Sequence, residues 1–148
     1  MRIYLDNCCY NRPFDEQTQM RIFLETQAKL HIQEQIKNKK IELAVSFISR
    51  YENFENPDVI GSMSIAFFFH KATIYIGAEN YDEIFHKASE FVKIGIKMKD
   101  ATHLVCAIKA NCDYFLTTDD KLIKKYNEKE IIVCNPITFL QLTGDLYA

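Results

Sequence analysis

Glycine and proline are scarce, with 4 and 3 among 148 residues. Long flexible linkers built from them are therefore excluded. No apolar run approaches the roughly 20 residues that a membrane-crossing helix needs. The most apolar stretch, Ile65 to Phe69, is closed by His70 and Lys71. The N-terminus meets Asp6 too soon to read as a signal peptide. The five cysteines form no C-x-x-C pair, and no P-loop or G-x-G-x-x-G is present. A nucleotide cofactor therefore has no motif to support it. Without an export signal the cysteines are expected to be reduced thiols in a cytoplasmic protein. Excess charge is also missing: 18 Lys+Arg face 20 Asp+Glu, for a net charge of −2. Such a chain is not steered to a polyanion as a whole, so binding one requires a local basic patch or a bound cation.

What remains is a chain of one-domain length, expected to fold as a unit over residues 1–148, with 48% hydrophobic and 26% charged residues. Ile3-Tyr4-Leu5 reads as a first strand ending at Asp6. Asn7 to Phe14 contains Arg12-Pro13 and reads as a loop, because the residue before proline disfavours helical angles. A helix is expected from Asp15 to about Lys37, with its apolar positions at Met20, Phe23, Leu24, Ala28, Leu30 and Ile32. A second strand spans Ile41 to Val45, and Ser46 can cap a helix running to Phe54. After the turn Asn56-Pro57-Asp58 comes a helix from Val59 to Lys71, then the ambiguous Thr73 to Ile76. Helices over 82–95 and 100–110 precede a strand at Tyr114-Phe115-Leu116. A short helix (122–126), a strand (131–133) and a terminal helix from Pro136 complete the pattern. Strands alternating with helices predict an α/β fold with a mainly parallel sheet between helical layers.

Parallel sheets of this kind place chemistry beyond the carboxyl ends of their strands. Asp6 follows the first strand, Glu52 and Glu55 lie on the helix after the second, and Thr117, Asp119 and Asp120 follow Leu116. Asp100 opens the helix before that strand. Taken singly, Asp100 and Asp119 suit helix caps, and Ser49-x-x-Glu52 suits a capping box. Taken together, the acids form a set that would repel unless a cation compensated it, and hard Mg²⁺ or Mn²⁺ prefer such oxygen ligands. Cys8, Cys9, His103 and Cys106 make a poor zinc set, since adjacent cysteines do not readily share one tetrahedral site.

Four segments resemble the PIN-domain ribonucleases, which include the toxins of many bacterial toxin–antitoxin pairs. These are Ile3-Tyr4-Leu5-Asp6, Ser46 to Glu52, Gly95-Ile96-Lys97-Met98-Lys99-Asp100-Ala101-Thr102-His103, and Tyr114-Phe115-Leu116-Thr117-Thr118-Asp119. They occur in the family's order across nearly the whole chain. The resemblance implies a three-layer α/β/α endoribonuclease that uses Mg²⁺ or Mn²⁺ and leaves a 5′-phosphate. By position Asp6, Glu52, Asp100 and Asp119 correspond to its acidic quartet, with Glu55 one helical turn from Glu52 as the alternative second acid. Thr117 corresponds to the hydroxyl residue two before the last acid, and Asp120 is an extra carboxylate. After the first Asp this chain has Asn7-Cys8-Cys9 where the family often has a hydroxyl residue and then a polar one.

The RNA substrate is expected to meet Thr117, Asn7, Arg12 and Lys121, with Lys97, Lys99, Lys124 and Lys125 nearby and Tyr10 and Phe14 able to stack on bases. A cognate antitoxin and a homodimer are the partners implied, with no membrane. Phe67, Phe68 and Phe69 read as core or a dimer face, with core favoured. Two other classes compete: a non-catalytic PIN-like protein-binding module, and a phosphoryl-transfer domain of the receiver or phosphatase kind. The second lacks a partner acid just after Asp6.

Overall fold

The computed structural model describes residues 1–144; residues 145–148, which the single-domain expectation includes, lie outside the described residues. Five strands, Arg2–Leu5 (β1), Glu42–Ser46 (β2), Ile74–Ile76 (β3), Tyr114–Leu116 (β4) and Ile132–Cys134 (β5), form one parallel sheet in the order β3-β2-β1-β4-β5. The ambiguous segment at 73–76 is therefore an edge strand. Among the described residues seven α-helices connect the strands, Asn7–Asn11 (α1), Met20–Lys37 (α2), Phe47–Phe54 (α3), Val59–Phe68 (α4), Tyr81–Lys93 (α5), Met98–Lys109 (α6) and Asp120–Lys125 (α7), and an eighth, Pro136–Leu142 (α8), follows β5.

Alternation along the strands sends side chains to two cores. Tyr4, Ala44 and Phe115 pack with α5 and α6 on one face. Ile3, Leu5, Leu43, Val45 and Leu116 pack with α1, α2, α4 and α8 on the other. The result is the three-layer α/β/α arrangement expected of a PIN-like fold. Each fully buried Phe or Leu contributes on the order of 2 kcal/mol, so the sheet centre is the most firmly held region.

Several local expectations change. Asn7 to Phe14 is helical: α1 ends at Asn11, and Arg12–Phe14 form a 3₁₀ turn with Pro13 in its first turn. Proline needs no amide partner there, so it is tolerated. Helix α2 starts at Met20, not Asp15, because Asp15 closes the 3₁₀ turn and pairs with Arg12. Its buried face carries Glu25, Lys29, Ile32 and Ile36, whereas Met20, Phe23, Leu24 and Leu30 are exposed. In α4 the buried stripe is Gly61, Ile65 and Phe68, and Phe67 is 76% exposed. Phe67 is thus not core. It lies with Phe54, Val59, Ile60 and Met63 among the exposed large apolar residues. No helix among the described residues is long and apolar enough to cross a membrane.

Candidate active site

The strand order reverses direction between β1 and β4, and open parallel sheets bind ligands at such a switch point. Asp6 directly follows β1 there and is buried. Its backbone angles are extended, and its Oδ1 accepts from the Asn7 amide at 2.8 Å, capping α1. Its Oδ2 accepts from the Thr117 hydroxyl at 2.8 Å. Thr117 in turn accepts from the Asp119 amide at 3.1 Å. Cys8 fills the same corner, its thiol 3.6 Å from Asp6 Oδ2 and its sulfur accepting from the Thr118 amide at 3.3 Å.

Asp119 is exposed and caps α7, its Oδ1 accepting from the amides of Lys121 and Leu122 at 3.0 and 3.4 Å. The capping role and the site position thus coincide in one carboxylate. Asp100 is different. Helix α6 begins at Met98 after an extended Lys97, so Asp100 lies in the first turn rather than at the cap. Burial, joined by the neighbouring charges of Asp6, Asp119 and Glu52 and opposed by His103, pushes its carboxyl up to about 6. The part of that shift due to like charges is the electrostatic mark of converging acids.

Ser46 caps α3, accepting from the Ser49 amide at 3.4 Å, so the helix starts at Ser46 and not at Ser49. One and a half turns later Glu52 points at α6. Its Oε1 accepts from His103 Nε2 at 2.7 Å, and Asp6 Oδ1 lies 4.0 Å from the same nitrogen. Burial alone would lower the imidazole; the bond to Glu52 and the charges of Asp6, Glu52 and Asp100 outweigh it and raise it. His103 was not among the site residues expected from sequence, although it lies in the segment that resembles the family. Its partner Glu52 is 51 positions away, which only the tertiary fold brings close. Glu55, the alternative acid, is exposed at the C-cap of α3.

A cleft of about 440 Å³ opens beside these acids, lined by Asn7, Phe14, Glu52, Glu55, Asp58 and Lys99 among others. Exposed Lys97 and Lys121 flank the acids in sequence. Three expected contacts are engaged elsewhere. Arg12 pairs with Asp15 and with fully buried Glu25. Asp120 is held by both terminal nitrogens of Arg21, at 2.7 and 2.8 Å, which lowers its pKa. Lys125 donates to the Gly95 carbonyl at 2.8 Å. Tyr10 is buried against Phe68 and Phe69 and is closed to base stacking, whereas Phe14 is exposed.

Among the described residues, no three His, Cys, Asp or Glu side chains stand as a ready-made ion cage. The donors are mainly carboxylate and hydroxyl oxygens, which suit a hard divalent cation, with the Cys8 thiol and the His103 imidazole beside them.

No family model matches the chain, and no curated protein matches its sequence. Its fold is similar to that of solved structures. The crystal structure of VapBC2 from Rickettsia felis bound to a DNA fragment from their promoter aligns with TM-score 0.55 and 18% identity, over 91% of this chain and 98% of that one. The crystal structure of FitAcB from Neisseria gonorrhoeae aligns with TM-score 0.55 and 15% identity, again over 91% and 98% of the two chains. At such identities the likeness is one of fold.

Proposed function

We propose that this chain is a metal-dependent endoribonuclease of the PIN type, acting as the toxin of a toxin–antitoxin pair. The observation that carries the reading is the convergence of Asp6 and Glu52 on His103 Nε2, at 4.0 and 2.7 Å, beside the sheet's switch, with Asp100 close enough that the charges of Asp6, Asp119 and Glu52 help raise its carboxyl. The fold likeness to VapBC2 and FitAcB supports it. Asp6, Asp100 and Asp119 would hold Mg²⁺ or Mn²⁺, with Glu52 as a further ligand or as the group that orients water.

When bound, such an ion lowers the pKa of a coordinated water and neutralises charge on the phosphate. The chain's own groups do the rest. Thr117 fixes the Asp6 carboxylate by hydrogen bonding. Asn7 lines the cleft, and Lys99 and Lys121 offer ammonium groups to phosphate. An antitoxin-type protein or a second copy of the chain would lie over exposed apolar residues such as Ile60, Met63 and Phe67.

The test is cleavage of a labelled single-stranded RNA with Mg²⁺ or Mn²⁺. Asp6→Asn and Asp100→Asn should each abolish cleavage while far-UV circular dichroism stays unchanged. Undiminished cleavage in either purified variant overturns the reading.

A further inference from the structure

Glu52 is the one acid of the set that stands on a helix side rather than at a strand end or in the first turn of a helix, so something must fix its rotamer. A buried polar chain runs up to it from inside the sheet. The Tyr4 hydroxyl, on β1, lies 2.6 Å from Ser46 Oγ, 2.9 Å from Ser49 Oγ and 2.6 Å from His103 Nδ1. His103 Nε2 then meets Glu52 Oε1 at 2.7 Å. Tyr4 and His103 are at most 1% exposed, and the Tyr4 ring is locked by stacking on Phe115 at 5.4 Å between centroids.

We propose that His103, held by Tyr4, is the positioning residue that sets the Glu52 carboxylate toward the acidic cluster. The inference rests on Glu52 acting in that cluster as proposed above. A carboxylate only accepts, so Nε2 carries a proton and donates to Oε1. In the neutral ring Nδ1 then accepts from the Tyr4 hydroxyl, and the Ser46 and Ser49 hydroxyls donate to Tyr4 in turn. This chain ties β1, the end of β2, α3 and α6 to one side-chain angle. It spends one Glu52 oxygen on the imidazole and leaves Oε2 without a hydrogen-bond partner from the chain among the described residues. Outer partners of this kind hold ligands in place, and their loss commonly weakens metal binding.

The experiment compares wild type with Tyr4→Phe, His103→Leu and His103→Gln. Two readouts are used besides RNA cleavage. The first is a slowly exchanging downfield Nε2–H resonance of His103 in the ¹⁵N-histidine-labelled, metal-free protein. The second is Mn²⁺ affinity from the electron paramagnetic resonance signal of the free ion. The wild type should show the resonance, and Tyr4→Phe should broaden it. Mn²⁺ affinity should fall about tenfold in His103→Leu and about threefold in Tyr4→Phe. His103→Gln, whose amide can donate in the same place, should recover part of the loss. In cleavage, kcat should fall in both weakened variants while KM for RNA stays within about twofold, as expected when an interaction made outside substrate binding is removed. A wild type without the resonance, or variants with wild-type Mn²⁺ affinity, would overturn the positioning role and leave the nuclease reading standing. A wild type that binds no Mn²⁺ overturns the nuclease reading, and this inference with it.

Discussion

The Thr117 hydroxyl donates to the Asp6 carboxylate across 2.8 Å, joining the ends of two adjacent parallel strands that are 111 positions apart in sequence. Thr117 is fully buried, so its hydroxyl has no ready substitute for Asp6. Thr117→Val keeps the shape and removes the hydroxyl. Asp6 then loses a donor and the Asp119 amide loses its acceptor. The expected cost is about 1–2 kcal/mol, read as a lower urea midpoint with unchanged slope.

Arg12 has a structural job. Its guanidinium and that of Arg21 flank Glu25, which is 0% exposed and also receives the Asn135 amide. Arg12→Met would remove one of three partners of a buried carboxylate. With the other two retained, the loss should be roughly 2 kcal/mol of stability. KM for RNA should stay within about twofold, because the change removes no interaction made by the substrate. A large rise in KM with unchanged stability would instead return Arg12 to the substrate site.

Lys29 supplies a pH dependence far from the acids. Only 4% exposed, it lies over the rings of Tyr10 and Phe68 and bonds Gln33. Burial pulls its ammonium down from the ordinary 10.5 to about 8. The folded protein releases this proton near pH 8 and the unfolded chain near 10.5. Between those values the unfolded chain binds more protons, so stability from this group rises with pH through that window. The penalty below pH 8 is roughly 3 kcal/mol at most. Lys29→Met should therefore stabilise the protein at pH 7, and its advantage should shrink by pH 10. Equal denaturation midpoints for the two proteins at pH 7 would contradict this.

The sheet and the position of Asp6 were legible because a short β-rich run ends directly in that acid; Asp119 follows Leu116 after two threonines, and Glu52 stands on the helix after the second strand. Ser46 was legible as a cap because serine ahead of a helical run has a local function. Other features depend on contacts distant in sequence. Helix α1 was hidden by Pro13, whose restriction falls on a 3₁₀ turn and not on the preceding residues. The inward face of α2 was hidden because Glu25 and Lys29 are buried with partners, while apolar Phe23 and Leu24 face out. Nothing within ten residues of His103 marks it as the partner of Glu52 and Tyr4. The engagement of Arg12 by Glu25 is a tertiary fact of the same kind.

The proposed function requires Asp6, Asp100 and Asp119 to form a site for a divalent cation. Its most direct test is the thermal midpoint of the metal-free protein titrated with Mn²⁺ at pH 7.5, alongside Asp100→Asn. An ion at 100 times its dissociation constant stabilises the folded state by about 2.7 kcal/mol, which for a domain of this size is a rise of several degrees. The wild type should show that saturable rise, and Asp100→Asn should lose most of it. A wild-type midpoint that does not move with Mn²⁺, or an identical rise in Asp100→Asn, would contradict the account.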